Sequence, residues 1–222
     1  MLDASLLASF SVQKRETYPL NSLNHLKLHK VVASPVTYQE HKAVQVKLAP
    51  GVESGDKPTF AIIQGIDFHD GEISINLVGK LGPGAPPDAR GFVGIAFRIN
   101  NDASQFEAFY LRPANGRADD QVRRNHSTQY FSYPDFPFSR LRKEYPEKYE
   151  SYVDLVLGEW TKVRIEVAGD KARLYVHGSK QPVLLVNDLK HGGEAHGSIG
   201  LWVDVGTEGY FSNLRITYKV RD

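Results

Sequence analysis

The sequence contains no cysteine, which excludes disulfides, thiolate catalysis and cysteine-ligated zinc. It also has almost no net charge, with 27 Lys and Arg against 26 Asp and Glu. An overall field that would attract nucleic acid or an anionic membrane is therefore absent. No apolar run approaches the roughly 20 residues needed to span a bilayer. Neither a nucleic acid nor a membrane is expected as a partner, and any function based on charge must be local.

A signal peptide is also not visible. Segment 1–12 contains the apolar stretch Leu6 to Ala8, but no basic residues precede it, because Lys14 and Arg15 follow. A secretory signal has its basic residues ahead of its apolar region. This pattern favours a cytoplasmic location.

What the sequence does contain suits a β-rich domain. Hydrophobic residues make up 41% of the 222 positions, and the aromatic residues are mainly 11 Tyr and 11 Phe, which favour strands and ligand-facing surfaces. The Pro/Gly-rich stretch Gly82 to Pro87 is too short to link two domains. All-β sandwiches commonly reach this length as one unit, so residues 1–222 are expected to form a single domain.

Short alternating runs, separated by turn residues, predict an all-β sandwich or barrel. The clearest pair is a hairpin in which Val163, Ile165 and Val167 alternate with polar residues before the turn at Gly169 and Asp170. The predicted strands are 43–48, 59–63, 72–78, 92–99, 105–111, 162–168, 171–177, 183–186, 198–204 and 210–219.

The stretch 113–152 lacks this alternation and is interrupted by Pro134, Pro137 and Pro146. It is predicted to be a long loop insertion with a short helix within 139–149, limited by Pro146. A loop of this length inside a compact domain is usually functional.

The two faces of several predicted strands differ consistently. One face is apolar, and the other combines small residues with aromatic and charged ones. This second face predicts a floor on which a sugar ring packs against an aromatic side chain while charged groups bind its hydroxyls. The alternative is an ordinary solvated outer face. The residues assigned to this floor are Arg98, Tyr110, Arg112, Trp202 and Asp204, with the 113–130 loop as one wall. Glu72 and Asn76, on the polar face of strand 72–78, are further ligand-binding candidates.

The last third of the chain contains a characteristic set of glycines and aromatic residues, namely Gly158, Trp160, Gly178, Gly197, Gly200, Leu201, Tyr210, Phe211 and Asn213. With these residues it resembles the concanavalin A-like lectin/glucanase (laminin-G-like) superfamily. It is particularly similar to the bacterial family of proposed glycosyl hydrolases, also described as 3-keto-disaccharide hydrolase-like domains of unknown function. The resemblance implies a two-sheet antiparallel jelly-roll sandwich and a carbohydrate-binding or carbohydrate-processing function. It supports the fold more strongly than an activity, because the matching residues are mainly structural.

Retaining glucanases of this superfamily carry Glu-x-Asp-x-x-Glu on one strand. The closest stretch here, Asp67 to Glu72, has the wrong order of carboxylates. A glucanase mechanism of that kind is therefore disfavoured.

The most unusual stretch is the charge-dense segment from Arg112 to Tyr130. Its arginines can bind carboxylate or hydroxyl groups, and its histidine can act as an acid or a base. The proposed catalytic residues are His126 with Asp120 or Glu107. The alternative is an internally salt-bridged loop over the sheet edge, whose arginines pair with Asp119, Asp120 and Glu107. The additional ligand-binding candidates are Arg117, Arg123, Arg124, Gln129 and Tyr130.

The other histidines lack the spacing of metal ligands, so no cofactor and no metal-binding residue are predicted. The resemblance leaves a structural Ca²⁺ open, without indicating its position. Three functions remain: a carbohydrate-binding or carbohydrate-processing domain, a glycoside hydrolase or lyase with dispersed acid and base residues, and a protein-interaction module of the laminin-G type. The sugar, its linkage and the oligomeric state are not indicated.

Overall fold

The computed structural model describes residues 13–52 and 55–219. Segment 1–12, on which the expectation about a signal peptide rests, lies outside the described residues. The strands are β1 (Gln13–Tyr18), β2 (Leu26–His29), β3 (Val31–Tyr38), β4 (His41–Leu48), β5 (Phe60–Phe68), β6 (Gly71–Leu81), β7 (Val93–Ile99), β8 (Phe106–Leu111), β9 (Thr128–Tyr133), β10 (Glu150–Ser151), β11 (Thr161–Ala168), β12 (Lys171–Val176), β13 (Leu184–Val186), β14 (Gly197–Val203) and β15 (Thr207–Lys219). The helices are α1 (Pro113–Gly116), α2 (Gln121–Asn125) and α3 (Phe138–Glu144).

The strands form two antiparallel sheets. The eight-stranded sheet has the order β13-β12-β11-β6-β15-β4-β3, and β1 also pairs with β15. The seven-stranded sheet has the order β10-β9-β8-β7-β14-β5-β2. The predicted all-β, two-sheet antiparallel sandwich is confirmed.

The apolar faces of the two sheets meet in one core. In the predicted hairpin, Ile165 of β11 lies opposite Leu174 of β12. Across the sandwich, Phe97 of β7 contacts Phe68 of β5, which contacts Tyr218 of β15 in the other sheet. The alternation of these strands therefore identifies the core correctly, because one face of each strand packs against the opposite sheet.

Several strands were not predicted from the alternation. In β3, Pro35 interrupts the pattern, and its strand lies at the edge of the eight-stranded sheet, where proline is tolerated. In β9, five successive residues from Thr128 are buried, so both faces are covered and no alternation remains.

The stretch 113–152 differs from the predicted loop. It contains α1, α2, β9, α3 and β10, and its two strands extend the seven-stranded sheet. Helix α3 lies where a short helix was expected, and ends before Pro146. No helix within residues 13–52 and 55–219 is long and apolar enough to cross a membrane.

Candidate functional site

The small residues of the predicted floor leave room for neighbouring rings. Gly94 of β7 lies opposite Tyr110 on one side and Trp202 on the other. The Tyr110 and Trp202 rings lie 4.8 Å apart between centroids. A Cβ atom at Gly94 would lie only 2.2 Å from the carbonyl oxygen of Phe109. The close packing of the neighbouring strands and their aromatic rings therefore explains why a glycine occupies position 94.

Trp202 does not offer a ring to a ligand. It is fully buried, and its Nε1 donates a hydrogen bond to the carbonyl oxygen of Lys57 at 2.9 Å. Its ring also lies near that of Phe131, with 5.4 Å between ring centroids. The prediction that Trp202 forms an open floor is corrected, because the chain around Lys57 and the neighbouring aromatic residues cover it.

A cleft of about 370 Å³ opens beside this buried aromatic layer. Its walls contain the carboxyl groups of Asp56, Asp88 and Asp204. Two partly buried aromatic residues, Phe92 and Phe138, also line it. The cations that line the cleft are Arg90, Arg112, Arg123 and Arg142, and the ionisable ring of His126 lies beside them.

Arg112 is fixed by four hydrogen bonds. Its Nη1 donates to the carbonyl oxygen of His126 at 3.1 Å and to Oε1 of Glu150 at 3.0 Å. Its Nη2 donates to the hydroxyl of Tyr110 at 2.7 Å and to Oε1 of Gln129 at 3.0 Å. The predicted ligand residue Gln129 thus orients Arg112 from a fully buried position.

Glu150 forms ion pairs with two of the arginines. Besides accepting from Arg112, it accepts a 2.8 Å hydrogen bond at Oε2 from Nε of Arg142, and Nη2 of Arg142 contacts Oε1. Burial acts to raise the pKa of Glu150, but the hydrogen bond from Arg142 and the charges of Arg142, Arg112 and His126 lower it below its usual value. Glu150 is therefore ionised at neutral pH.

His126 also faces this carboxylate, with 3.7 Å between its Nε2 and Oε2 of Glu150. Burial lowers the pKa of His126, and the charges of Arg142 and Arg112 add to this effect against that of Glu150. The ring is thus mainly neutral at pH 7, when one nitrogen can accept a hydrogen bond.

Asp56 and Asp204 form a carboxyl pair at the other wall. Asp204 accepts from the backbone N–H groups of Val205 at 2.7 Å, Gly55 at 3.1 Å and Asp56 at 3.3 Å. Asp56 accepts from the backbone N–H of Phe138 at the start of α3. Burial raises the pKa of Asp56 from 3.8 to about 7, and the charge of Asp204 adds to it. Burial also raises the pKa of Asp204, although its backbone hydrogen bonds oppose this change.

No protein-family model matches the chain. No curated protein sequence matches it either. Solved structures do resemble it. A Bacillus subtilis protein of unknown function with a galectin-like fold has a TM-score of 0.60 at 10% identity, over 95% of this chain and 100% of the other.

Two further structures are similar over nearly their whole length. Carbohydrate-binding module CBM66 from Bacillus subtilis has a TM-score of 0.55 at 14% identity, over 86% of this chain and 97% of the other. Peanut lectin has a TM-score of 0.55 at 8% identity, over 93% of this chain and 97% of the other. The fold is the lectin-like jelly roll.

This jelly roll places some predicted site residues together. Tyr110, Arg112, Arg123, His126 and Asp204 all line the cleft.

Other predicted residues lie on the opposite sheet or at the far end of the sandwich. Glu72 and Asn76 lie on the outward face of β6 in the eight-stranded sheet, where Glu72 pairs with Arg164. Arg98 is held by Oδ1 of Asp70 at 3.2 Å and by the carbonyl oxygen of Gly169 at 2.8 Å. Arg98 therefore does not fit the predicted floor, and Glu72 and Asn76 do not line the cleft.

Glu107 and Tyr130 face the interior between the sheets. Their side chains are hydrogen-bonded to each other, and Oε1 of Glu107 accepts from the backbone N–H of His191 at 2.9 Å. Both residues are fully buried. The predicted partnership of Glu107 with His126 is therefore not assembled, because Glu107 points to the opposite face of β8 from Tyr110.

The remaining predicted residues have local structural roles. Arg117 is exposed and pairs with Asp154 through two 2.8 Å hydrogen bonds. Nη2 of Arg124 donates to the hydroxyl of Tyr152 at 3.0 Å. Asp120 caps α2 by accepting from the backbone N–H of Arg123 at 3.0 Å. These three side chains are bonded within the protein, but neither arginine pairs with Asp119, Asp120 or Glu107 as the alternative of a salt-bridged loop expected.

Some cleft residues were not identified from the sequence. Asp56 and Arg90 lie between strands, where no alternation assigns them to a face, and Arg142 lies on a short helix. The sequence around them carries no pattern that assigns them to a site, because these residues come next to the cleft only when the chain folds.

Proposed function

We propose that the protein binds a carbohydrate in the cleft between Arg90, Phe92, Phe138 and Asp204. The observation that carries this proposal is the combination, in one cleft, of partly exposed rings with guanidinium and carboxyl groups. A ring can pack against the C–H face of a sugar, while the charged groups exchange hydrogen bonds with its hydroxyls. A carbohydrate-binding module and a lectin with the same fold support the proposal.

Catalysis has less support than binding. His126 lines the cleft, but Asp120 is a helix cap and Glu107 lies between the sheets. A glycoside hydrolase or lyase would need a different pair of groups, of which Asp56 and Asp204 are the adjacent carboxyls at the cleft. Product analysis after prolonged incubation with any bound glycan separates a binding domain from an enzyme.

The test of binding compares two phenylalanines of one segment. Phe138 lines the cleft, whereas Phe136 lies outside it, beneath the guanidinium of Arg140. On a glycan array, the wild type should bind at least one glycan. By titration calorimetry, Phe138→Ala should weaken that binding by about tenfold or more, equivalent to about 1.4 kcal/mol, while Phe136→Ala retains it.

Two results would contradict the proposal. One is the absence of binding to any glycan on the array, and the other is equal affinity in Phe138→Ala and wild type. If the cleft captured only a protein partner, the laminin-G-type interaction function would replace it.

A further inference from the structure

The four arginines of the cleft divide into two pairs. Arg112 and Arg142 both form ion pairs with the carboxylate of Glu150, whose single negative charge they share. Arg90 and Arg123 have no carboxylate oxygen within 4.0 Å among the residues that the structure describes. The cleft therefore holds two guanidinium groups without an ionic partner in the described chain.

The hydrogen bonds of this second pair are also incomplete. Nη1 of Arg90 donates to the carbonyl oxygens of Pro87 at 2.7 Å and Ala89 at 2.8 Å. Nη2 of Arg123 reaches the carbonyl oxygen of Ala114 and Oδ1 of Asn115 only at 3.4 Å. Nε of Arg123 is buried and has no hydrogen-bond partner within the described residues. The chain therefore satisfies the donors of Arg123 only weakly, and a ligand that accepts from its Nη groups would add hydrogen bonds.

The two guanidinium groups are close enough to repel each other. Burial lowers the pKa of Arg90, and the charges of Arg123 and Arg112 lower it further, whereas that of Asp88 raises it. An anion between Arg90 and Arg123 would relieve this repulsion. A guanidinium also presents its donors in a planar fork that matches the two oxygens of a carboxylate.

We infer that Arg90 and Arg123 form an anion-binding end of the glycan site, and that the natural ligand is an acidic saccharide. Its anionic group lies between the two guanidiniums, while its sugar ring lies towards Phe92 and Phe138. This inference rests on the proposed carbohydrate function and specifies the class of sugar. A uronic-type carboxylate and a sulfate ester share the required charge.

The experiment uses an array that carries neutral, uronic, sialic and sulfated glycans, probed with the full chain in wild-type and variant forms. Acidic glycans should bind, and their affinity should fall about tenfold or more in Arg90→Met and in Arg123→Met, the loss typical of a charge-assisted hydrogen bond. Arg117→Met is the matched control. Arg117 belongs to the same segment as Arg123, but is exposed and paired with Asp154, so this variant should stay within about twofold of wild type.

Thermal unfolding of each variant separates lost binding from lost structure. If a methionine variant does not fold, Arg90→Lys and Arg123→Lys keep the charge but remove the planar fork, and should also weaken binding. Added salt should weaken binding of acidic glycans by the wild type. Binding of uronic glycans would identify the anionic group of the ligand as a carboxylate. Binding confined to sulfated glycans would identify it as a sulfate ester.

Three outcomes would overturn the inference. Binding of neutral glycans that is unchanged in Arg90→Met and Arg123→Met would leave the carbohydrate function intact but remove the anion site. Sodium acetate competing as well as sodium glucuronate would show binding of simple anions without sugar recognition. Absence of any glycan binding would reject the proposed function itself.

Discussion

The pKa of Asp56 is set mainly by the surroundings that the fold gives its carboxyl group. Its carboxyl group is buried, accepts from the backbone N–H of Phe138, and lies beside Asp204 as well as the positively charged Arg112. Because its pKa is about 7 in the folded chain and near 3.8 in the unfolded chain, the folded state holds the extra proton between these pH values. Raising the pH through this window therefore destabilises the protein.

Asp56→Asn removes this titration and keeps an acceptor for Phe138. Relative to the variant, the wild type should lose stability as the pH rises from about 4 to about 7, by up to ~4 kcal/mol, because each pKa unit corresponds to about 1.36 kcal/mol. Urea denaturation of both proteins at several pH values measures the difference. Parallel stability curves across this window would contradict the raised pKa.

Whether a strand could be predicted from the sequence depended on whether one or both of its faces are buried. The pattern of β11 and β12 was readable because polar residues alternate with residues that face the core. Strand β9 was not, because both of its faces are buried. The segment that contains it borders the candidate cleft, but the sequence does not separate its charged residues into those that line the cleft and those that lie on the outer surface. That sorting depends on contacts with distant chain, as for Arg117 and Asp154.

Helix α1 supports the cleft through a close backbone approach. A Cβ atom at Gly116 would lie 2.4 Å from the backbone nitrogen of Leu155 and 2.6 Å from its carbonyl oxygen. Gly116→Ala should therefore displace α1 and the nearby Arg112 and Asn115, lowering stability by about 1–3 kcal/mol and weakening glycan binding. Urea denaturation and calorimetry measure these two effects.

Gly82→Ala is the control for this change, because the nearest atom to an added Cβ there is Cγ of the Glu208 side chain at 3.3 Å. This flexible side chain can move, so the control should fold and bind as wild type does. Equal behaviour of the two variants would show that the approach of α1 to Leu155 is not required.

For the whole molecule, the core between the sheets supplies the stability. Leu201 of β14 is fully buried, whereas Leu185 of β13 is 49% exposed. Leu201→Ala should lower the free energy of unfolding by about 2–5 kcal/mol, because it leaves a cavity in the core. Leu185→Ala should change it by less than about 1 kcal/mol. Urea denaturation followed by circular dichroism measures both, and similar losses would mean that the faces of β14 are assigned wrongly.

The sequence predicted this architecture well, because burial between two sheets imposes the same alternation on many strands. It predicted the site only partly. The small and aromatic face around Gly94 was interpreted as open, but its rings cover one another. Asp56 and Arg90 join the cleft through loop positions, for which no periodic signal exists.

The pairing of β1 with β15 has a mechanical consequence. Gln13 lies directly opposite Lys219, and the register continues to Tyr18 opposite Leu214. A pulling force applied at residues 13 and 219 would act across this antiparallel pair, perpendicular to the strands. The hydrogen bonds between the two strands would then bear the force one at a time and break in sequence, instead of sharing the force along the strand. Tension between these two points would therefore separate β1 from β15 before it strained the rest of the two sheets or deformed the cleft.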